Sequence, residues 1–249
     1  MASPTLDPFR DAVARYGPPV VIFNKSHSGS RMLAHLVHDA GISLGARRNE
    51  SWDSLDVLEL VEYLVERYHP SYAPLFDPGR PVDQDLAALL RRVFDRHLEG
   101  LVPGQRWGWK LCETAFILPV LAHCFPTATY VHLLRDGRDV AFCDHKGPDS
   151  PFWRKVYFNT DRIRTYRGLR LTAPAYRRRS YLYNALHWVN GVTTGRRFGA
   201  MLGDRYLEVR YEDLCTDFQA TATSLLTRLE ADDPAAATSR FAAGVRRSS

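Results

Sequence analysis

A short apolar run, a small polar loop and an amphipathic helix, in that order, constrain the fold of this chain more than any other feature. Residues Pro19 to Phe23 are apolar and rich in β-branched side chains, which is typical of a buried parallel strand. The loop from Asn24 to Ser30 contains one glycine, and Leu33, Leu36 and Val37 then recur at helical spacing. Such a loop presents backbone N–H groups and the positive end of the helix to one ligand, so the segment predicts a phosphate-binding site.

Further apolar runs predict the other strands of the same sheet. Thr129 to Leu134 leads directly into the charged loop Arg135 to Asp139, Tyr206 to Val209 is the last strand candidate, and Trp107 to Lys110 is a short one. Apolar periodicity predicts helices over residues 55–64, 86–98, 115–124, 180–198 and 220–229. Strands that alternate with helices indicate an α/β fold with a mostly parallel sheet.

The length and composition of the chain favour one globular domain. Its 249 residues are 45% apolar and 24% charged, which excludes disordered, collagen-like and coiled-coil classes. We expect residues 1–249 to form a single domain. Residues 231–249 contain few large apolar side chains, so we expect a flexible or truncated tail there.

Charge and cysteine content indicate which kind of ligand the protein binds and in which cellular compartment it works. Lys and Arg number 33 against 28 for Asp and Glu, a net charge of +5, which favours an anionic ligand. Four widely spaced cysteines without a Cys-x-x-Cys pair indicate reduced thiols rather than a zinc site, and we expect no metal. The chain begins without a basic and apolar leader and contains no run of about 18 apolar residues, so we expect a soluble, cytoplasmic protein without a membrane span.

The phosphate-binding loop departs from the nucleotide-hydrolase pattern. That pattern requires a glycine, four residues and then Gly-Lys-Ser/Thr, whereas here Lys25 precedes Gly29, the only glycine of the loop. The Ser or Thr hydroxyl that binds magnesium in that pattern therefore does not follow a Gly-Lys pair here.

Four motifs in one order resemble those of sulfotransferases that use 3′-phosphoadenosine-5′-phosphosulfate (PAPS). His27 to Arg31 is similar to the first family motif, a basic residue followed by Ser-Gly-Thr-Thr/Ser at the start of a helix. Arg135, with Cys143 eight positions later, is similar to the second, and Leu207 to Leu214 to the strand and Tyr-Glu-Asp that close the donor site. Trp107 to Lys110 resembles a segment of bacterial carbohydrate and small-molecule members. The resemblance extends from residue 19 to residue 214.

The resemblance implies a three-layer, P-loop-like α/β fold, PAPS as sulfuryl donor and 3′,5′-adenosine bisphosphate (PAP) as product. It also implies the residues of the donor site. These are His27, Ser28, Gly29, Ser30, Arg31, Arg135, Cys143 and Tyr211. Lys25 lies two residues before the family's basic position, but it could reach back across the loop, and we add it to the donor site.

The chain departs from the family pattern at three places. His27 replaces the usual Lys or Arg, and Cys143 replaces the serine that binds the 3′-phosphate. The Gly-rich basic loop expected near the C-terminus is reduced to Gly244 to Arg247. The last departure suggests a truncated or divergent lid over the donor.

In-line sulfuryl transfer needs a cation near the leaving oxygen, because negative charge develops there. We expect Lys25 and His27 to share this task. Lys110, at the end of its predicted strand, is positioned to meet the sulfonate or the acceptor; the alternative is an ion pair with Glu113.

The acceptor hydroxyl also needs a base. By resemblance to the glycan and protein-tyrosine type, in which a Glu lies some twenty residues after the basic loop residue, Glu50 is our first candidate. Asp53 is the second, although it could instead cap a helix, and His145 is the third. His132, inside an apolar strand, is more typical of a core residue.

Two other functions are compatible with parts of the sequence. A P-loop kinase-like phosphotransferase would use Asp136 as a metal carboxylate. A nucleic-acid or heparin-binding module would use the arginine-rich residues 154–179 with their aromatic neighbours, but it leaves both loops unexplained. We therefore expect a sugar or small-molecule acceptor and no nucleic acid; the sequence assigns neither the particular acceptor nor the oligomeric state.

Overall fold

A four-stranded, all-parallel β-sheet forms the centre of the computed structural model, which describes residues 3–143, 151–158 and 180–248. The strands are β1 (Val20–Asn24), β2 (Gly108–Lys110), β3 (Thr129–Leu134) and β4 (Tyr206–Arg210), in the spatial order β2-β1-β3-β4. All three pairings between neighbouring strands are parallel. The α/β fold with a parallel central sheet is therefore confirmed.

Helices connect and cover the strands. The α-helices are Asp7–Tyr16, Ser30–Asp39, Leu55–Tyr68, Ala73–Phe76, Gln84–His97, Leu118–Cys124, Gly137–Ala141, Pro151–Phe158, Ser180–Gly199, Tyr211–Thr216, Phe218–Arg228 and Pro234–Ser248. Shorter 3₁₀ helices are Pro4–Leu6, Cys112–Ile117 and Gly203–Arg205. Across the described ranges, every helix falls short of the length and apolar content that crossing a bilayer would require.

The two faces of the sheet carry separate apolar cores. Phe23 of β1 belongs to the core that includes side chains of the helices Leu55–Tyr68 and Gln84–His97. Ile22 belongs to the core on the other face, together with side chains of the helix Ser30–Asp39. Alternate residues of a strand point to opposite faces, and complete burial of each such side chain contributes about 1.5–3 kcal/mol. This division produces the three layers.

Ser54 rather than Asp53 caps the helix Leu55–Tyr68. Its Oγ accepts a hydrogen bond from the backbone N–H of Val57, at an N–O distance of 3.3 Å. A side chain that satisfies a free N–H of the first turn stabilises a helix start by about 1 kcal/mol. Asp53, one residue earlier, is therefore not needed as a cap.

The segment 231–249 differs from the expected flexible or truncated tail. It contains the helix Pro234–Ser248, whose Ala237 and Thr238 are buried. Small side chains allow close helix packing without large apolar residues, which is why composition alone suggested a tail. Gly244 to Arg247, considered above as the remnant of a basic loop, lie within this helix.

All four parallel strands end at the same edge of the sheet. Lys110 ends β2, Lys25 follows β1, Arg135 follows β3 and Tyr211 follows β4. Nη1 of Arg135 donates a hydrogen bond to the carbonyl oxygen of His27, at 3.1 Å. The loop after β1 and the loop after β3, which the sequence assigned to one site, are thus in direct contact.

Candidate active site

A cleft of about 610 Å³ opens at this edge of the sheet. It is lined by Ser26, His27, Gly29, Ser30, Arg31, Met32, Ser51, Asp53, Lys110, Cys112, Arg135 and Tyr211. Most of the residues predicted for the donor site are among them. Because the loop after β1 lies between β2 and β3 in the sheet order, it separates two ends of the cleft, the carboxylate end (Ser51, Asp53, Lys110) and the arginine end (Arg135, Tyr211).

The loop after β1 is closed by its own hydrogen bonds. Oγ of Ser28 donates to the carbonyl oxygen of Lys25 at 2.5 Å, and Nδ2 of Asn24 donates to the same oxygen at 2.7 Å. His27 and Gly29 both have left-handed backbone conformations, with φ of 68° and 82°. The buried Ser28 is therefore a structural part of the loop, whereas His27 and Gly29 line the cleft.

Gly29 is required by its contact with Tyr211 as well as by its φ. A Cβ atom at this position would lie 2.3 Å from two ring carbons of Tyr211. The guanidinium of Arg135 lies 4.9 Å from the centroid of the same ring, within the range of a cation–π interaction. Arg135 and Tyr211 of the arginine end, together with Gly29 against which Tyr211 packs, therefore follow three different strands.

Arg135 retains donor capacity toward a ligand. Besides its bond to the loop carbonyl, Nη2 lies 3.6 Å from Oδ2 of Asp139. Its buried Nε has no hydrogen-bond partner among the described residues. A guanidinium with unused donors at the rim of a cleft suits a phosphate or carboxylate.

At the carboxylate end, Lys110 forms an ion pair with Asp53. Nζ of Lys110 lies 2.8 Å from Oδ1 of Asp53 and donates to the carbonyl oxygen of Ser51 at 3.0 Å. Burial lowers the pKa of Lys110, but nearby groups, among them the Asp53 carboxylate that accepts its hydrogen bond, outweigh burial and raise it. The ammonium is therefore charged, and its ion pair is with Asp53 rather than with Glu113.

Lys25 lies beside the cleft rather than along its wall. Its side chain is 2% exposed, and Nζ has no hydrogen-bond partner in the described part of the chain. Burial lowers the pKa of Lys25 to about 8, against smaller opposite effects of Cys112, Glu113 and Cys143. A buried cation that lacks a hydrogen-bond partner is costly, and such a group can be retained because a ligand or neighbouring carboxylate completes it.

Glu113 and Cys112 add two titratable groups that the sequence analysis did not assign to the site. Burial, and then Asp53, raise the pKa of Glu113 to about 7. Burial raises the pKa of Cys112 to about 12, so its Sγ is a neutral thiol, 3.5 Å from Oδ1 of Asn24. Both residues follow Lys110 at the end of β2, and that placement was the signal that could have identified them.

His27 is neutral near pH 7. Burial, and then the positive charges of Lys25 and Arg135, lower its pKa below the ordinary value. A neutral imidazole supplies a hydrogen bond rather than a full charge. Between the two residues expected to share the cationic role, Lys25 is the stronger source of charge.

Several predicted residues lie away from the cleft. Glu50 is exposed and does not line it. Sγ of Cys143 donates to the carbonyl oxygen of Asp139 at 3.3 Å and also does not line it. His145 and most of the arginine-rich stretch 154–179 lie outside the described residues.

His132 is a core residue, as its sequence context predicted. Its ring stacks on Phe23 with centroids 4.5 Å apart, and Nδ1 lies 2.6 Å from the hydroxyl of Tyr206. Burial lowers the pKa of His132 to about 4. The imidazole is therefore neutral and satisfied within the core.

Asp136 is engaged in local structure rather than at the cleft. Its Oδ1 accepts the backbone N–H of Arg138 at 2.8 Å, and Oδ2 pairs with the Arg138 guanidinium at 2.5 Å. Within the described ranges, no group of three or more His, Cys, Asp or Glu side chains could hold a metal ion. The geometry offers no support for Asp136 as a metal carboxylate.

Comparisons with known proteins identify relatives of this architecture. A family model described as "Sulfotransferase family" matches residues 46–235. That range includes Asp53, Lys110, Arg135 and Tyr211 and begins after the loop that follows β1. No curated protein matches this chain significantly.

Among solved structures, sulfotransferase STF9 from Mycobacterium avium has a TM-score of 0.51 and 13% identity, over 97% of this chain and 70% of that chain. The sulfotransferase domain from the curacin biosynthetic pathway has a TM-score of 0.48 and 18% identity, over 86% of this chain and 74% of that chain. The sulfotransferase from Alicyclobacillus acidocaldarius has a TM-score of 0.48 and 14% identity, over 86% of this chain and 81% of that chain. At such low identity, the likeness to STF9 shows a shared fold alone.

Proposed function

The chain belongs to the sulfotransferase family, and from this premise we propose that it moves the sulfuryl group of PAPS to a hydroxyl of a sugar or another small molecule. The observation that carries the proposal is the division of one cleft into two ends. An arginine and a tyrosine stand at one end and a paired carboxylate and ammonium at the other, with the tight loop after β1 between them. Since the lining residues run from Ser26 to Tyr211, we include the whole of residues 1–249 in one catalytic domain.

The cleft suits the chemistry of the donor. The arginine end would hold the 3′-phosphate, because Arg135 keeps an unused donor there. The loop from Ser26 to Ser30 would hold the 5′-phosphosulfate at the N-terminus of the helix Ser30–Asp39. Tyr211 would lie against the adenosine, whereas Cys143, whose Sγ donates to the carbonyl oxygen of Asp139 and does not line the cleft, is not assigned to the donor.

Sulfuryl transfer breaks the bond between sulfur and the bridging oxygen of the donor and forms a bond between sulfur and the acceptor oxygen. The protein contributes positioning and charge. Lys110 and the buried Lys25 would stabilise negative charge on the sulfonate and on the leaving phosphate. His27 would add a hydrogen bond from a neutral imidazole.

Asp53 is the base that this geometry favours. It lines the cleft, and its ion pair with Lys110 orients the carboxylate. The acceptor hydroxyl would transfer its proton to Asp53 as the new bond to sulfur forms. Glu50, our first candidate from the sequence, stays an alternative that the variants below separate from Asp53.

Thermal unfolding in the presence of nucleotides tests the donor. A ligand that binds only the folded protein raises Tm, and the increase grows with the logarithm of the ratio of ligand concentration to Kd. We expect PAPS and PAP to raise Tm and magnesium-ATP to have little effect. Stabilisation by magnesium-ATP alone would overturn the proposal in favour of a kinase-like phosphotransferase.

The acceptor class requires a second experiment. Candidate sugars and phenols are incubated with the protein and PAPS, and mass spectrometry detects products heavier by one SO₃ group. We expect the sulfated product to appear together with an equal amount of PAP. PAP release without a sulfated product from any member of either class would contradict the proposed acceptor class.

A further inference from the structure

Residues 49–53 form a closely bonded turn that carries the proposed base. Oδ1 of Asn49 accepts the backbone N–H groups of Ser51 and Asp53, each at 2.9 Å. The backbone N–H of Asn49 donates to the carbonyl oxygen of Asp53 at 3.1 Å, and that of Trp52 donates to the carbonyl oxygen of Asn49 at 2.9 Å. One asparagine thus closes the turn through its backbone and its side chain.

The same asparagine contacts the carboxylate itself. Nδ2 of Asn49 donates to Oδ2 of Asp53 at 3.3 Å, while Oδ1 of Asp53 faces Nζ of Lys110 at 2.8 Å. The two carboxylate oxygens therefore have different partners, an amide and an ammonium. Two contacts on separate oxygens restrict rotation of the carboxylate as well as its location.

Trp52 adopts a backbone conformation that bulky residues seldom take. Its φ is 65°, in the left-handed region that glycine and asparagine normally occupy. A residue held in this region is strained and persists where the surroundings determine its conformation. The strain lies between Ser51 and Asp53, which both contribute to the carboxylate end of the cleft.

Aromatic and cationic contacts hold the Trp52 side chain in place. Its ring centroid lies 3.9 Å from that of His35 and 5.2 Å from that of His38, and the Arg48 guanidinium lies 4.0 Å from the ring. His35 and His38 belong to the helix Ser30–Asp39, which begins at the anion-binding loop. The indole therefore connects the turn to the same helix that would bind the donor.

We infer that Asn49 and Trp52 are positioning residues for the proposed sulfuryl transfer: Trp52 anchors the turn to the donor-binding helix, and Asn49 orients the Asp53 carboxylate toward Lys110 and the acceptor. The inference rests on the proposed function, since it assigns a task to residues around the proposed base. Neither residue has to touch a substrate. The charged and titratable groups near this carboxylate are Lys110, Cys112 and Glu113.

Asn49→Asp tests the orienting contact. The new carboxylate can still accept both backbone N–H groups, but it replaces a donor with a negative charge next to Oδ2 of Asp53. Like charges at hydrogen-bond distance favour protonation of one of them. We expect the titration midpoint of the Asp53 carboxyl, followed by NMR with ¹³C-labelled aspartate and assigned with Asp53→Asn, to rise by about one pH unit or more. In a transfer assay, the acid limb of the profile of kcat/KM against pH should move to higher pH together with this midpoint.

Trp52→Gly tests the anchor without adding backbone strain, because glycine accepts a positive φ. We expect a fall in kcat of about 10-fold or more, with the KM for PAPS unchanged, and recovery of most of kcat in Trp52→Phe. A 1 Å displacement of a catalytic group is enough for such a loss. If kcat fell equally in both variants, and only in proportion to the fraction of folded protein, the positioning role would be overturned.

The outcomes separate this inference from the proposed function. If the Asp53 midpoint in Asn49→Asp equals that of the wild type in a folded protein, the orienting contact is wrong, whatever the reaction. If Asn49→Asp does not fold, the comparison of Trp52→Gly with Trp52→Phe decides the inference. Failure of the wild type to bind PAP, with the Asp53 midpoint raised as expected, would contradict the proposed function and leave the turn's effect on Asp53 standing.

Discussion

At the scale of single residues, the position of the proposed base depends on details that lie outside sequence patterns. Lys110 could be predicted because it ends an apolar strand. Asp53 and Glu50 are three positions apart in a polar loop, and spacing favoured Glu50. The left-handed φ of Trp52 and the Asn49 hydrogen bonds direct Asp53 into the cleft and leave Glu50 exposed. Such a turn follows from contacts with a distant helix, which one sequence does not reveal.

The first prediction compares the two carboxylates as bases. Asp53→Asn keeps the shape of the side chain but removes its capacity to accept a proton, so turnover should fall by about 10²- to 10⁴-fold. Glu50→Gln should change turnover by less than about threefold, because Glu50 does not line the cleft. Steady-state kinetics at saturating PAPS measure both effects, with circular dichroism to verify folding. A large loss in Glu50→Gln with normal turnover in Asp53→Asn would assign the base to Glu50.

At the scale of elements, the regular strands were predictable and the short helices were not. The apolar runs located β1, β3 and β4 to within about one residue, because fully buried parallel strands need continuous apolar sequence. The helices Gly137–Ala141 and Tyr211–Thr216, which follow β3 and β4, were missed. They are too short for a periodic pattern, and their charged residues made them resemble loops.

The second prediction concerns the loop between β1 and the helix Ser30–Asp39. Gly29→Ala combines a positive φ with a Cβ atom 2.3 Å from the Tyr211 ring, so the ring must move. We expect a loss of stability of about 1–3 kcal/mol and at least about 10-fold weaker PAP binding, because the moving ring disturbs both the loop and Arg135.

Gly41→Ala is the matched control for that substitution. Gly41 also has a positive φ, of 91°, but apart from its chain neighbours none of the described residues places an atom within 4 Å of a new Cβ. Urea denaturation should show destabilisation in both variants, whereas calorimetry should show weaker PAP binding only in Gly29→Ala. Equal PAP affinities would contradict the proposed role of the loop.

At the scale of the whole molecule, the parallel sheet brings residues from distant parts of the chain to one edge. That the loops after β1 and β3 meet could be predicted, since parallel strands end together. The shifted pKa values of the buried Lys25 and the half-buried Glu113 could not, because they depend on the helices that cover the sheet edge. These shifts make global stability depend on pH.

The third prediction is the sign of that dependence. Between about pH 8 and 10.5, the unfolded chain holds the Lys25 proton and the folded protein does not, so stability rises with pH. Between about pH 4.5 and 7, the folded protein holds the Glu113 proton and the unfolded chain does not, so stability falls as pH rises. The two contributions together are least favourable between about pH 7 and 8.

Matched variants isolate these contributions from those of other groups. Denaturation free energies are measured across the pH range for the wild type, Lys25→Met and Glu113→Gln. The difference between the wild type and Lys25→Met should grow in favour of the wild type above about pH 8. Below about pH 7, the unfolding free energy of the wild type should likewise increase relative to that of Glu113→Gln. Differences independent of pH would show that these side chains are not buried as described.

The most direct test of the two-ended cleft is a calorimetric titration of PAP into the wild type, Arg135→Ala and Asp53→Asn. We expect one PAP per chain in the wild type and similar affinity in Asp53→Asn, because the carboxylate end would act on the acceptor. Arg135→Ala should bind about 10- to 100-fold more weakly, since a charge-assisted hydrogen bond is lost. No heat of binding in the wild type, or equal losses in both variants, would contradict the account.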